Sequence, residues 1–322
     1  MLPDLRSEFG LFSLQDQGYG FTDFDRPRNF KMQAEILDVA IKTALGLTPE
    51  PHYVSDTAYL VLDSLFAAPK GFEFFQRFPK EEVTQFCRLA VLSRLDRQQL
   101  PVVSPVCPDY PDVGYVLGDG VPRTAQRVLD NLIVLKEFLI NRGLSFMMQM
   151  HVADIEAFEP LILQVSGETT ESFLWKTNRS IIAIQERIQL MGLEKFILAG
   201  SMLSAFNGSG LDYFALKETN AREIIDHGGR KVRKTVEALA AERVRLGDFD
   251  LIGQDNHKPM AAEELANYAT YGDLVDGRAV ILSPDTLSPM PAYNFLRGGQ
   301  KLFNPTIYLK QAKEKNYSIF ME

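Results

Sequence analysis

The stretch PVVSPVCPDYPDVGYVLGDGVPRTAQRVLDNL, Pro101 to Leu132, decides the fold. It starts as a strand, LPVVSPV from Leu100, too apolar to alternate and so suited to cover on both faces. It ends as a helix expected over about residues 122–141, with Pro122 in the first turn and Gly143 as the closing signal. Between them lies a run of Cys, Asp, Pro, Tyr and Gly. Residues of that kind at a strand end are where a layered α/β fold meets its ligands.

Working outward, LSFMMQMHVADI reads as a second strand, TTESFLWKTNRSIIAIQERIQLMG as a helix with a glycine stop, and KFILAGSML as a third strand. Strand, helix, strand, helix, strand with short apolar strands predicts a parallel sheet. The right-handed crossover rule then puts the C-terminal strand ends on one edge. After Ser209 a connector is expected, then helices over about 230–246 and 261–274 and a further strand in RAVILSPD. Upstream, residues 1–30 show no period and read as an arm suited to packing on a second copy of the chain. Helical patterns follow at about 32–45, 56–65 and 80–95. The expected class is α/β: a modified Rossmann-like, mostly parallel sheet with helices on both faces, preceded by a helical N-terminal region. The division is 1–98 for the arm and helices and 99–322 for the α/β region, the two read as separable or as one continuous domain.

Composition narrows the function. The chain has 322 residues, 46% hydrophobic and 24% charged, with a formal net charge of -8. An acidic surface disfavours non-specific nucleic-acid binding. Cys87 and Cys107 have no CxxC spacing, which argues for free thiols rather than a zinc site. No apolar run reaches the roughly 18–20 residues of a membrane span, and the N-terminus lacks the pattern of a signal peptide. The expectation is a cytoplasmic protein.

Polar clusters follow each strand. The first is Cys107, Asp109, Tyr110, Asp112, Asp119 and Arg123; the second is His151, Asp154, Glu156 and Glu159; the third is Ser201, Ser204 and Asn207; the fourth is Ser283, Asp285, Thr286, Ser288 and Tyr293. Singly, each is ordinary loop and cap chemistry. Together, at one sheet edge, they would line a cleft. There, His151 or Glu156 would act as general acid or base, and Asp109, Asp119 and Asp154 would orient or deprotonate an amine. Cys107, Tyr110, Asp119, Arg123, Ser201, Asn207, Asp285 and Tyr293 would contact substrate. His151 in an apolar strand reads equally as a satisfied core residue, and Trp175 as a packing residue. Gly228, Gly229, Arg230 and Lys231 open a basic helix and form a candidate phosphate site. The alternative there is a solvated basic face, or a stripe continuing to Arg243 and Arg245 that could meet tRNA. Neither GxGxxG after a strand nor GxxxxGK[ST] occurs, so no nucleotide cofactor is expected; nor is a metal.

The layout SPVCPDYPDVGYVLGDGVPRTAQ, with Leu117-Gly118 and Val121-Pro122, resembles the isocyanide (isonitrile) synthase family. That family has a proline-flanked strand end, a polar loop, then an LG-x-LP element opening a long helix. MHVADIEAF and RAVILSPD resemble its later strands. The resemblance spans about half the chain. Asp109 to Asp112 stand in place of the family's Lys-Ser-Pro-Asn loop, Ala153-Asp154-Ile155-Glu156 in place of its Ser-Asp-Gly turn, and Pro284-Asp285 in place of its His-Pro pair. The resemblance implies a biosynthetic transferase or synthase of secondary metabolism. Its substrate would be an amino acid, with a sugar phosphate as partner. Two other classes stay open: an aminoacyl-tRNA-dependent synthase, and a small-molecule-binding protein without catalysis.

Overall fold

The computed structural model describes residues 71–74, 79–95, 98–108, 119–141, 143–226, 257–284 and 302–309, with single positions at 38, 42, 232–234, 236, 237, 240 and 294. Its elements are β1 (Phe72–Phe74), α1 (Pro79–Leu95), β2 (Leu100–Val106), α2 (Arg123–Ile140), β3 (Phe146–Val152), a 3-10 turn (Asp154–Phe158), α3 (Pro160–Ser166), α4 (Thr170–Leu190), β4 (Ile197–Ser201), α5 (Met202–Gly208), α6 (Tyr213–Asp226), α7 (His257–Val275), β5 (Val280–Ser283) and β6 (Thr306–Leu309). The six strands form one sheet in the order β1-β6-β5-β2-β3-β4. All neighbours are parallel except β1 with β6. This is the α/β, Rossmann-like, mostly parallel sheet that the pattern predicts.

The chain moves from β2 through β3 to β4, then crosses back to lay β5 on the other side of β2. Right-handed crossovers in opposite directions put the connecting helices on opposite faces. On one face, Val128, Leu129, Leu132 and Leu135 of α2 and Ile184 and Ile188 of α4 pack on Val102, Met148, Met150 and Leu282. On the other, Met202 and Phe206 of α5, Tyr213 of α6, and Tyr271 and Leu274 of α7 pack on Val103 and Ile281. Alternate residues of one strand therefore enter different cores. No helix among the described residues is long and apolar enough to cross a membrane.

Two prolines shape the centre. Leu100 N–H donates to Ser145 and Val106 accepts from Ala153 N–H, so the even residues of β2 bond toward β3. The odd ones, Pro101 and Pro105 among them, face β5 and bring no N–H to it. The β2–β5 register accordingly covers only Val102↔Val280 and Val103↔Ile281. At the upper end of this short seam Ser104 Oγ donates to the Leu282 carbonyl (2.8 Å), supplying a donor beside Pro105.

Local signals behave as expected in α2 and α4. Pro122 precedes the first turn of α2, and Gly143, at φ 67°, closes it while Leu144 N–H returns to the Leu139 carbonyl. Thr169 and Ser172 form a capping box on α4. Several expectations need correction. The strand β1, not foreseen among the helices of the first hundred residues, joins β6 at the sheet's edge. The segment after Ser209 is not a plain connector, because Tyr213–Asp226 is a helix. Trp175 is not a packing residue. It is 58% exposed, on the face of α4 opposite the buried Phe173, Thr177 and Ile184. The helix expected at 56–65 lies outside the described residues.

Candidate functional site

The parallel strands bring Cys107, the Asp154 turn, Ser201 and Ser283 to one edge of the sheet. Asp119 and Arg123 stand at the start of α2 on the same edge, both exposed to solvent. The reversal of strand order falls between β5 and β2, where crevices of open α/β sheets occur. Thr124 Oγ1 donates to the Cys107 carbonyl (3.0 Å) and ties α2 to the end of β2. Cys107 is half-buried and in no disulfide; Cys87 is buried, and burial, then the charge of Asp38, raises its pKa well above the ordinary thiol value.

Asp154 is buried beside β4. One carboxylate oxygen accepts from Ser201 Oγ, and the other accepts from Leu203 N–H (2.9 Å). Ser201 Oγ in turn accepts from Ser204 N–H (2.9 Å) and caps α5. Burial raises the Asp154 pKa; the bonds from Ser201, Leu203 and Met202 hold part of that rise back. Asp154 and Ser201, from two separate strand-end clusters, are thus joined directly, as a clamp from the end of β3 to the first turn of α5. Asn207 lies on the last turn of that helix, away from the clamp.

His151 takes a different direction. Its parity on β3 opposes Met148, Met150 and Val152, and it enters the second face, where Nδ1 meets Tyr271 Oη at 2.9 Å. Burial lowers its pKa from 6.5 to about 4, so the ring is neutral near neutral pH. It lines a cavity of about 460 Å³ that runs down the sheet toward Gln99 and Arg278, at the ends where β2 and β5 begin. His151 and Asp154 are therefore neighbours in sequence that serve different places. Tyr271 is absent from the sequence expectation, because it stands in a helix whose composition carries no mark of a site.

Glu159 anchors a further polar group. Its carboxylate accepts from Asn267 Nδ2 (2.6 Å) and pairs with Lys217 (3.0 Å), while Tyr213 Oη donates to Asn267 Oδ1 (2.6 Å). Burial raises the Glu159 pKa against the pull of Lys217. Burial, then the charges of Glu159, Glu156 and Glu263, push the Tyr213 phenol upward, so it remains a donor. Glu159 ends the turn carrying Asp154 and Glu156, and this network fastens that turn to α6 and α7. Only Glu159 was visible in the sequence; Tyr213, Lys217 and Asn267 come from helices far along the chain.

Asp109, Tyr110, Asp285, Tyr293 and the Gly228, Gly229, Arg230, Lys231 segment lie outside the described residues. Among the described residues no group of three or more His, Cys, Asp or Glu side chains is placed to hold a metal ion.

Fold and edge together define an α/β protein of Rossmann-like build with a polar C-terminal rim. No family model matches the sequence, and no curated protein does. Among solved structures, the chain is similar to the PvcA protein from Pseudomonas aeruginosa, at 16% identity and a TM-score of 0.45, over 72% of this chain and 79% of that one.

Proposed function

We propose that this protein is a biosynthetic enzyme acting on an amino-acid-derived small molecule at the C-terminal rim of its sheet, with isonitrile-synthase-like transferase or synthase chemistry. The observation that carries the reading is the reversal of strand order between β5 and β2, beside residues 104–126 whose layout resembles that family. In this reading Asp109 and Glu156 exchange the proton of the substrate amine. Cys107, Tyr110, Asp119, Arg123, Ser201, Asp285 and Tyr293 surround the substrate. Asp154 acts through Ser201, as a positioning residue that fixes the rim. Gly228, Gly229, Arg230 and Lys231 would take the phosphate of a sugar-phosphate co-substrate.

The test is incubation with each amino acid and a carbon-labelled phosphorylated pentulose, followed by mass spectrometry. Transfer of label to an amino-acid product, lost in Glu156→Gln, is the expected result. Absence of transfer with every amino acid, together with no thermal shift by any of them, would overturn the reading.

One observation favours a second reading, a binding protein without catalysis. Both Asp154 oxygens are occupied by hydrogen bonds and His151 is buried and neutral, so two of the expected acid–base groups are already engaged in structure. Amino-acid binding without label transfer would select it.

A further inference from the structure

The cavity below His151 is independent of the C-terminal rim and opens at the other end of the sheet. Its mouth carries the exposed Gln98, Gln99 and Arg278; its inner end carries His151. Met147, Gln149 and His151 point into it from alternate positions of β3, a span of roughly 13 Å at about 3.3 Å per residue. Val103, Leu274 and Ala279 make its walls apolar.

Three polar groups on these walls have unmet capacity. His151 is 8% exposed; Tyr271 occupies Nδ1, and among the described residues Nε2 has no partner. Gln149 is exposed on an interior strand, and its side chain makes no hydrogen bond to any described residue. Arg278 donates to the Leu274 carbonyl (3.0 Å) but meets no carboxylate among the described residues. A buried histidine held by one nitrogen at the wall of a cavity is a built recognition point. An arginine at the mouth adds a fixed positive charge suited to a carboxylate.

We infer that this cavity binds a small organic acid with its carboxylate at Arg278, an apolar or aromatic body along β3, and a hydroxyl at His151. A hydroxyl both donates and accepts, so it satisfies Nε2 in either tautomer of the ring. The inference goes beyond the proposed activity, because none of the rim residues takes part.

The probe is 3-(4-hydroxyphenyl)propionate, compared with its primary amide and with 3-phenylpropionate, by isothermal titration on the full chain. The expected result is binding of the acid, with both analogues weaker, the amide by about tenfold for loss of one charge-assisted contact. Arg278→Gln removes the preference for acid over amide. Ser209→Trp, an exposed substitution on the cavity rim that leaves the core untouched, abolishes binding of all three. Circular dichroism confirms that both variants are folded. No binding of the acid, or acid binding that survives both substitutions unchanged, overturns the inference. Glu156→Gln leaves this binding intact, so failure here and failure of the rim chemistry are read separately.

Discussion

The two faces of the sheet are built from the same strand and do opposite things. On β3, Phe146, Met148, Met150 and Val152 enter a core sealed by α2 and α4, and each is almost wholly buried. Met147, Gln149 and His151, one residue out of step, meet a face only partly closed by α5 and α7 and lined by a cavity. The sealed face carries stability: a fully buried side chain of this size contributes roughly 1.5–3 kcal/mol over an exposed one. The other face holds polar groups that packing alone does not explain. A one-residue slip of register would exchange the two roles, so the pleat itself separates structure from chemistry.

The sharpest way to break this contrast is to cut into the sealed side. Leu132→Ala removes a side chain with no exposure at all, and should cost about 3 kcal/mol in urea denaturation. Met147→Ala, half-buried on the open side, should cost less than about 1 kcal/mol. Equal losses would mean that both faces are packed alike.

Next in size is a pH effect confined to the open side. His151 titrates near 4 in the folded protein against 6.5 ordinarily, so between those values the unfolded chain binds more protons. Its contribution to stability is full above the unfolded pKa and is lost as pH falls through the folded one. The amount is about 3 kcal/mol for a shift of this size. Asp154 and Glu159 run the other way: with folded values raised, what they contribute is lost as pH rises through them. His151→Gln leaves both carboxyls in place, so the difference between the two proteins isolates the histidine. That difference in unfolding free energy should grow by about 3 kcal/mol from pH 4 to pH 7. A constant difference would show a solvated ring and remove the buried recognition point.

How much of this was legible beforehand follows the range of the interactions. β2, α2, β3, α4 and β4 declare themselves through local period and caps, and observed bounds such as Leu100–Val106 coincide with the apolar runs. β1 and β6, of three and four residues, were not read from the sequence. The rim was legible as a set of polar strand ends; the bond that joins Asp154 of one to Ser201 of the next was not. The separate destination of His151 turns on one parity step and on Tyr271, which lies 120 residues away. The Glu159 partners are 58 and 108 residues distant, on helices whose composition advertises nothing. Contacts of that separation belong to topology, and a single sequence holds no local mark of them.

The Glu159 network gives a middle-sized test on the open side. Lys217→Met removes the ammonium that faces a carboxylate only 6% exposed. Asn267 still donates to it, so the cost should be about 2 kcal/mol, below that of a fully stranded buried charge. The loss should shrink as pH falls and Glu159 takes up a proton. A loss that does not depend on pH would mean that the lysine acts through its aliphatic stem, as packing rather than as charge.

The smallest expected effect is the most discriminating. Gln149 sits between two parallel neighbours, where a β-branched residue is the usual occupant. If its amide serves the fold, Gln149→Val should destabilise by more than about 1 kcal/mol, as loss of a buried hydrogen bond does. With the side chain exposed on the cavity wall, the expected change is under about 0.5 kcal/mol in either direction. The same variant, titrated with the phenolic acid, should bind more weakly while unfolding at the same urea concentration. Stability and binding would then separate at one position of one strand, the physical difference between a residue that closes a core and one that faces a ligand.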